Sequence, residues 1–188
     1  MFQAIVTLES ATPYSQSRPH DEPKKDRETG NDYELRTWRN RLHTDKDDMV
    51  FIPAQAFKNC LSEAAKYLGR QVPGKGKNTY TKHFEAGIMV IDNAPLGIQG
   101  ADVAGERLYL NSDGRRGGNK RVWRTMPCIP QWKTEVTFII LDEIITEEVF
   151  TDHLCWAGRI IGIGRWRPRN NGNYGRFAVK KVKWSAMG

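Results

Sequence analysis

Cysteine is scarce in this chain of 188 residues, and the three present, Cys60, Cys128 and Cys155, are scattered along it. Without paired spacings they form neither a disulfide framework nor a CxxC zinc site, which points to a reducing, cytoplasmic setting. Long apolar runs are missing too. No stretch reaches the roughly 18 residues that a membrane span requires. The opening "MFQAIVTLES" lacks the charged leader and long apolar centre of a secretory signal. The expectation is a soluble intracellular protein with no membrane partner. The last deficit is local: residues 157–188 contain no Asp or Glu, yet carry eight Lys and Arg among glycines, asparagines and aromatic rings.

What is present sets the remaining bounds. A hydrophobic content of 39% supports a globular core, and the length suits one domain over 1–188 better than two. The net charge of +7 and a pI near 9.4 make a polyanion the natural partner, because a basic surface attracts phosphates through its long-range field. A basic protein with no such partner is the plain alternative.

"FQAIVTL" is β-prone and begins at the second residue, so it reads as a core strand ended by Thr12 and Pro13. Residues 18–48 then hold eight basic and nine acidic residues with few large apolar ones. They read as an excursion outside the core, mostly loop with a short hairpin around "YELRTWRNRLH". In "FIPAQAFKNCLSEAAKYLG" the apolar residues recur at i, i+3 and i+4, which predicts an amphipathic helix over 54–68 closed by Gly69. "VPGKGKNTYTK" follows as a flexible basic loop. "AGIMVIDNAPLGI" reads as a strand interrupted by a turn.

Residues 106–124 predict a hairpin, because Asp113-Gly114 and Gly117-Gly118 are turn signals between β-capable flanks. "TEVTFIILDE" is a strand. "ITEEVFTDHLCWAGRII" is a helix opened by Thr146, with Glu147 and Glu148 in its first turn, where the helix dipole favours acids. "YGRFAVKKVKW" is a last strand. The order is β, helix, β, excursion, β, helix, β. The expected fold class is therefore α+β, a ferredoxin-like (RRM-like) βαββαβ unit. Two helices cover one face of an antiparallel sheet, and long insertions fall at about 14–50 and 99–132.

Three of these stretches carry a family resemblance. "FIPAQAFKNCLSEAA" resembles the "IPGSSLKGALR" signature of the RAMP superfamily, the backbone and processing subunits of CRISPR effector complexes. "TEVTFIILDEIITEEVFTDHLCWAGRIIGIG" is similar to that family's strand, "LTEEEL" helix and "LGGLGxG" segment. "GRWRPRNNGNYGRFAV" is similar to its glycine-rich loop ending in "GxGRF". The chain departs from the signature at Ala54-Gln55-Ala56, where Gly-Ser-Ser would let a phosphate approach the helix start, while Lys58 aligns with the signature lysine. Together with the short length and the long basic loop, this departure fits a solitary or phage-type relative. The resemblance implies single-stranded RNA or DNA as partner, along with copies of the chain itself or CRISPR-type subunits.

The candidate nucleic-acid residues follow from chemistry. Arg165, Arg167, Arg169 and Arg176 can take phosphates bidentately, Trp166 and Tyr174 can stack on bases, Asn171 is counted with them, and the glycines at 162, 164, 172 and 175 let the backbone approach a ligand or take φ > 0. Lys58, Arg115, Arg116, Lys120 and Arg121 extend the positive surface over the first helix and the hairpin, with the uncovered sheet face between. "GRQVPGKG" mimics a P-loop but lacks its Ser or Thr and follows a helix, and "GIGRWR" ends in Arg167, so neither signals a nucleotide cofactor. No cofactor or metal is expected. Catalysis stays open. Some RAMP proteins cut RNA with an acid or a histidine of the first excursion, and here that segment holds Asp21, Asp26, Asp32, Asp45, Asp47, Asp48, His20 and His43. His83 and His153 read as structural. The leading expectation is non-catalytic, largely sequence-independent binding of single strands by repeated protomers. An endoribonuclease using residues 14–50, or a CRISPR inhibitor that imitates a subunit, are the alternatives.

Overall fold

A computed structural model describes residues 1–112 and 120–187. In chain order it contains β1 (Phe2–Ser10), α1 (Gly30–Thr37), β2 (Met49–Ile52), α2 (Ala54–Leu68), α3 (Thr81–Ala86), β3 (Ile88–Val90), β4 (Ala94–Gln99), β5 (Ala104–Asn111), β6 (Arg121–Cys128), β7 (Lys133–Ile140), α4 (Glu147–Trp156) and β8 (Phe177–Ala186). Alternation in β1 sets the main sheet. Ala4, Val6 and Leu8 are buried while Ile5, Thr7 and Glu9 are only partly covered, the period of two of a strand with one face on a core. β3, β7, β1 and β8 lie side by side in that order, every neighbouring pair antiparallel, with a bulge where β8 passes Thr7 and Leu8. β2 pairs with β4 and β5 with β6 in two further antiparallel ladders. The α+β class and the antiparallel pairing expected from the sequence are present.

The two long helices form where their periodicity places them. In α2, Phe57, Cys60, Leu61, Ala64 and Ala65 are the buried stripe, and Gly69 closes the helix in the left-handed conformation (φ 57°). In α4, Thr146 caps the first turn by accepting the Val149 N–H at 3.3 Å, and Phe150, His153 and Leu154 face inward. Phe150 meets Phe138 of β7 and Trp184 of β8 at centroid distances of 5.1 and 5.7 Å, and Phe57 meets Phe177 at 6.1 Å. The aromatic rings of the sheet therefore point at the helices. The opposite face offers Gln3, Ile5, Thr7, Met89, Thr137, Ile139, Lys181 and Lys183, and among the described residues it carries no ring for a base to stack on.

Three expectations change. "YELRTWRNRLH" does not form a hairpin. It contributes α1 and a 3-10 turn, Trp38–Arg41, because Thr29 and Asp32 cap one another: the Thr29 hydroxyl accepts the Asp32 N–H and donates to its carboxylate. Nor is the excursion outside the core, since Thr37, Trp38 and Leu42 are buried. Finally, the interrupted strand divides into β3 and β4, which join different sheets, and the basic loop before it ends in α3. The hairpin of residues 104–128 forms as expected, but its tip, with Arg115 and Arg116, lies outside the described residues. The three cysteines are unpaired, and no described helix is long and apolar enough to cross a membrane.

Candidate nucleic-acid interface

The basic loop between α4 and β8 is built like a structural layer. Gly162, Gly164 and Gly175 have φ values of 71°, 73° and 74°. A side chain at Gly164 would run into the Tyr14 ring, and one at Gly175 would overlap the carbonyl oxygen of Ile163. Backbone bonds lock the turn: Ile163 N–H to Gly175 O at 3.0 Å, Gly175 N–H to Pro13 O at 2.7 Å, Arg165 N–H to Ser15 O at 2.9 Å, Tyr174 N–H to Trp166 O at 3.0 Å. Of the two roles expected of the glycines, Gly162, Gly164 and Gly175 take positive φ, and the space they leave admits the protein's own backbone. Asn171 has a backbone role as well, closing the short turn Pro168–Asn170 in the left-handed conformation. Trp166 shares that conformation (φ 54°), a strained state for a bulky side chain.

The loop's side chains form two clusters. In the first, the Arg165 guanidinium lies 3.8 Å from the Trp166 ring centre, Trp166 meets Tyr174 edge-on at 5.6 Å, and the Tyr174 hydroxyl donates to Glu106 at 2.8 Å. Burial pushes Tyr174 up to about 12, the Glu106 bond adding to it. Burial also pushes Arg165 down to about 10, assisted by the nearby charge of Arg41, and its Nη1 is buried without a partner. Behind it, the buried Glu34 pairs with Arg41 at 3.0 Å and with Arg124. In the second cluster, Glu63 of α2 holds Arg167 at 3.2 Å and Arg169 at 2.9 Å. Arg176 donates to the carbonyls of Arg159 (3.1 Å) and Asn173 (3.4 Å).

Lys58 stands apart from both. Its ammonium donates to the carbonyls of Phe84 and Glu85 at 2.6 and 2.7 Å, tying α2 to the end of α3, and burial lowers its pKa. Lys120 and Arg121 are exposed on the hairpin. Sequence reasoning missed the residues beside them. Tyr109 and Trp123 face each other across β5 and β6 with centroids 5.1 Å apart, 52% and 47% exposed, and Arg107 lies 4.7 Å over the Trp123 ring. The alternation in "RLYLN" and "RVWRT" was the available signal, since it sets Arg107, Tyr109, Arg121 and Trp123 on one face.

Most acids of the first excursion hold structure together. Asp45 accepts the N–H groups of Asp47 and Met49, Asp48 accepts that of Ala101, and Glu22 and Glu28 pair with Arg36. His20 lines a cavity of about 630 Å³ with Arg18, Asp21, Arg39 and Asp48, and its Nδ1 is buried without a partner. His43 is pushed below the usual histidine range by burial and by Arg18. His153 is buried against Phe84, its Nδ1 bonded to Val149 O at 2.7 Å, and His83 pairs with Asp142 at 2.6 Å. Among the described residues no three His, Cys, Asp or Glu side chains are grouped to hold a metal ion.

No family model and no curated protein matches the chain. Solved structures do. A chain of the Type III-B Cmr-beta structure bound to cognate target RNA is similar over 97% of this chain and 60% of its own length, with a TM-score of 0.56 and 12% identity. Cmr6 from Pyrococcus furiosus is similar over 96% of this chain and 99% of its own, with a TM-score of 0.51 and 13% identity. This protein therefore spans less than two thirds of the Cmr-beta chain and matches Cmr6 almost end to end, and with both it shares a fold.

Proposed function

We propose that this chain is a RAMP-type protein that binds single-stranded nucleic acid, RNA foremost, as part of a CRISPR-type assembly and without cutting the strand. The observation that carries the proposal is the loop of residues 162–176. Close-packed glycines and backbone bonds hold it in one shape, and four arginines and two rings are mounted on it. Guanidiniums so mounted can take successive phosphates with little ordering cost, in competition with the Glu63 carboxylate that holds Arg167 and Arg169. The fold shared with an RNA-bound CRISPR structure supports the same conclusion. The antiparallel order β3-β7-β1-β8 with α2 and α4 on one face supports reading the fold as a ferredoxin-like unit. Neighbouring copies or other subunits along the strand complete the proposal. A solitary or phage-type affiliation gains nothing from these likenesses and forms no part of it.

Binding of this kind is electrostatic and releases counterions, so affinity for a labelled oligouridine falls as salt rises. The test is a titration at two salt concentrations with a matched duplex as competitor, the strand then being checked for cleavage. Equal affinity at both salts, or preference for the duplex, overturns the proposal. Cleavage lost on replacing His20 or an acid of residues 14–50 moves the function to an endoribonuclease.

A further inference from the structure

Beside α1 the β5–β6 hairpin leaves a groove of about 540 Å³, lined among others by Lys24, Tyr33, Tyr109, Arg121 and Trp123. Its size lies within the ~300–1,000 Å³ of small-molecule sites. We propose that this groove is a nucleobase subsite, in which one base of the strand stacks on the Tyr109–Trp123 pair while Lys24, Arg107 and Arg121 meet the phosphates on either side.

The inference rests on the proposed function and adds a place and a chemistry to it. Tyr109 and Trp123 are about half exposed although they sit on a two-stranded ladder, and their planes are tilted by 46°, which leaves ring surface turned outward. Arg107 is already positioned at this platform, over Trp123 and donating to Asn31 at 2.8 Å. Lys24 lies 5.9 Å from the Tyr33 ring centre on the other wall. Charge selects the occupant. Among the described residues the sole carboxylate lining the groove, Glu34, is buried and paired with Arg41 and Arg124, so the described rim is cationic. Flat rings under a positive rim fit a nucleotide better than an apolar peptide, whose side chains would meet lysine and arginine at the edge. Among the described residues the open face of the main sheet has no ring to offer, which leaves this groove, the loop rings Trp166 and Tyr174 and the exposed Tyr67 of α2 as surfaces for a base.

Photo-cross-linking of the full chain to an oligouridine carrying 5-iodouracil, followed by peptide mapping, locates stacked bases. The expected adduct lies on Tyr109 or Trp123. Trp123→Ala lowers affinity about tenfold or more with the salt slope unchanged, and Trp123→Phe restores most of it. If the parent binds the strand but adducts form only within residues 162–176 and Trp123→Ala binds normally, the groove is not a base site while the proposed function stands. If the parent binds no single strand, both fall together. Should Trp123→Ala not fold, the adduct map on the parent decides alone, and a map without Tyr109 or Trp123 overturns the inference.

Discussion

Tyr174 donates its phenolic hydrogen to Glu106 across 68 positions of sequence, and by that bond the glycine-built loop is fastened to the root of the β5–β6 hairpin. Two basic segments that are remote in the chain thereby become one surface. Glu63, holding Arg167 and Arg169 against α2, fixes the loop's other side. The positive charge that made the sequence conspicuous is thus partly spoken for within the protein. A phosphate must compete with these carboxylates.

The first bond is readable by pH. It requires the phenolic proton, so its contribution is present in full below the ordinary phenol range and is lost as pH rises toward about 12, where burial and Glu106 have moved Tyr174. In an ultraviolet titration Tyr174 and the fully buried Tyr14 should both titrate late, and Tyr174→Phe should remove one late phenol. The same variant should lose about 1 kcal/mol of stability at neutral pH. A late class unchanged by the substitution would place the bond elsewhere.

Glu63→Gln tests the competition. Removing the carboxylate frees Arg167 and Arg169 for phosphate, so affinity for an oligouridine should rise and its salt dependence should steepen by up to about 0.7 per newly engaged guanidinium. Stability should fall by about 1 kcal/mol or less, since both pairs are partly open to solvent. Arg167→Ala with Arg169→Ala should move affinity the other way. If Glu63→Gln binds more weakly than the parent, the carboxylate positions the arginines and does not compete with phosphate for them.

Local signals were enough for the two long helices, β1, β7, β8 and the paired hairpin, because each is written in its own apolar period and caps. α1 was hidden for a physical reason. Tyr33 and Trp38 favour strands, and only the Thr29–Asp32 capping pair marks a helix start there. The site was less legible than the fold. Arginine counts cannot show that Glu63, over a hundred residues upstream of its partners, neutralises two of them. Nor can they show that Glu34 is buried between Arg41 and Arg124. The glycines of the loop were conspicuous in the sequence, but the surface they pack against, Tyr14, Ser15 and Ile163, is visible only in three dimensions.

Lys58 separates signature from structure. Its ammonium serves two carbonyl oxygens at the end of α3, and a hydrogen bond from a charged donor contributes about 1.5 to 3 kcal/mol. Lys58→Met, which keeps the aliphatic stem, should lower the unfolding free energy by an amount in that range and leave the affinity for single strands and its salt slope unchanged. A flattened slope with an unaltered midpoint would instead make Lys58 a phosphate contact.

Two glycines with similar backbone angles provide the closing test of how the loop is built. Gly76 has φ 61° and nothing within 4 Å of an added Cβ, whereas Gly175 has φ 74° and would thrust a Cβ into the Ile163 carbonyl. Gly76→Ala should therefore cost only the left-handed conformation, about 1 to 2 kcal/mol. Gly175→Ala carries that cost and a steric one besides, because Ile163 cannot retreat: its own N–H is bonded back to the Gly175 carbonyl at 3.0 Å. The loop must open for the methyl group to fit, and opening it moves Tyr174 away from Glu106 and Arg176 away from the carbonyls of Arg159 and Asn173. Gly175→Ala should thus lose at least twice the stability that Gly76→Ala loses, and the fraction that stays folded should bind an oligouridine more weakly, while Gly76→Ala binds as the parent does. Equal midpoints for the two variants would mean that the loop yields without cost, and a surface that yields so readily would not hold its arginines in register with a phosphate backbone.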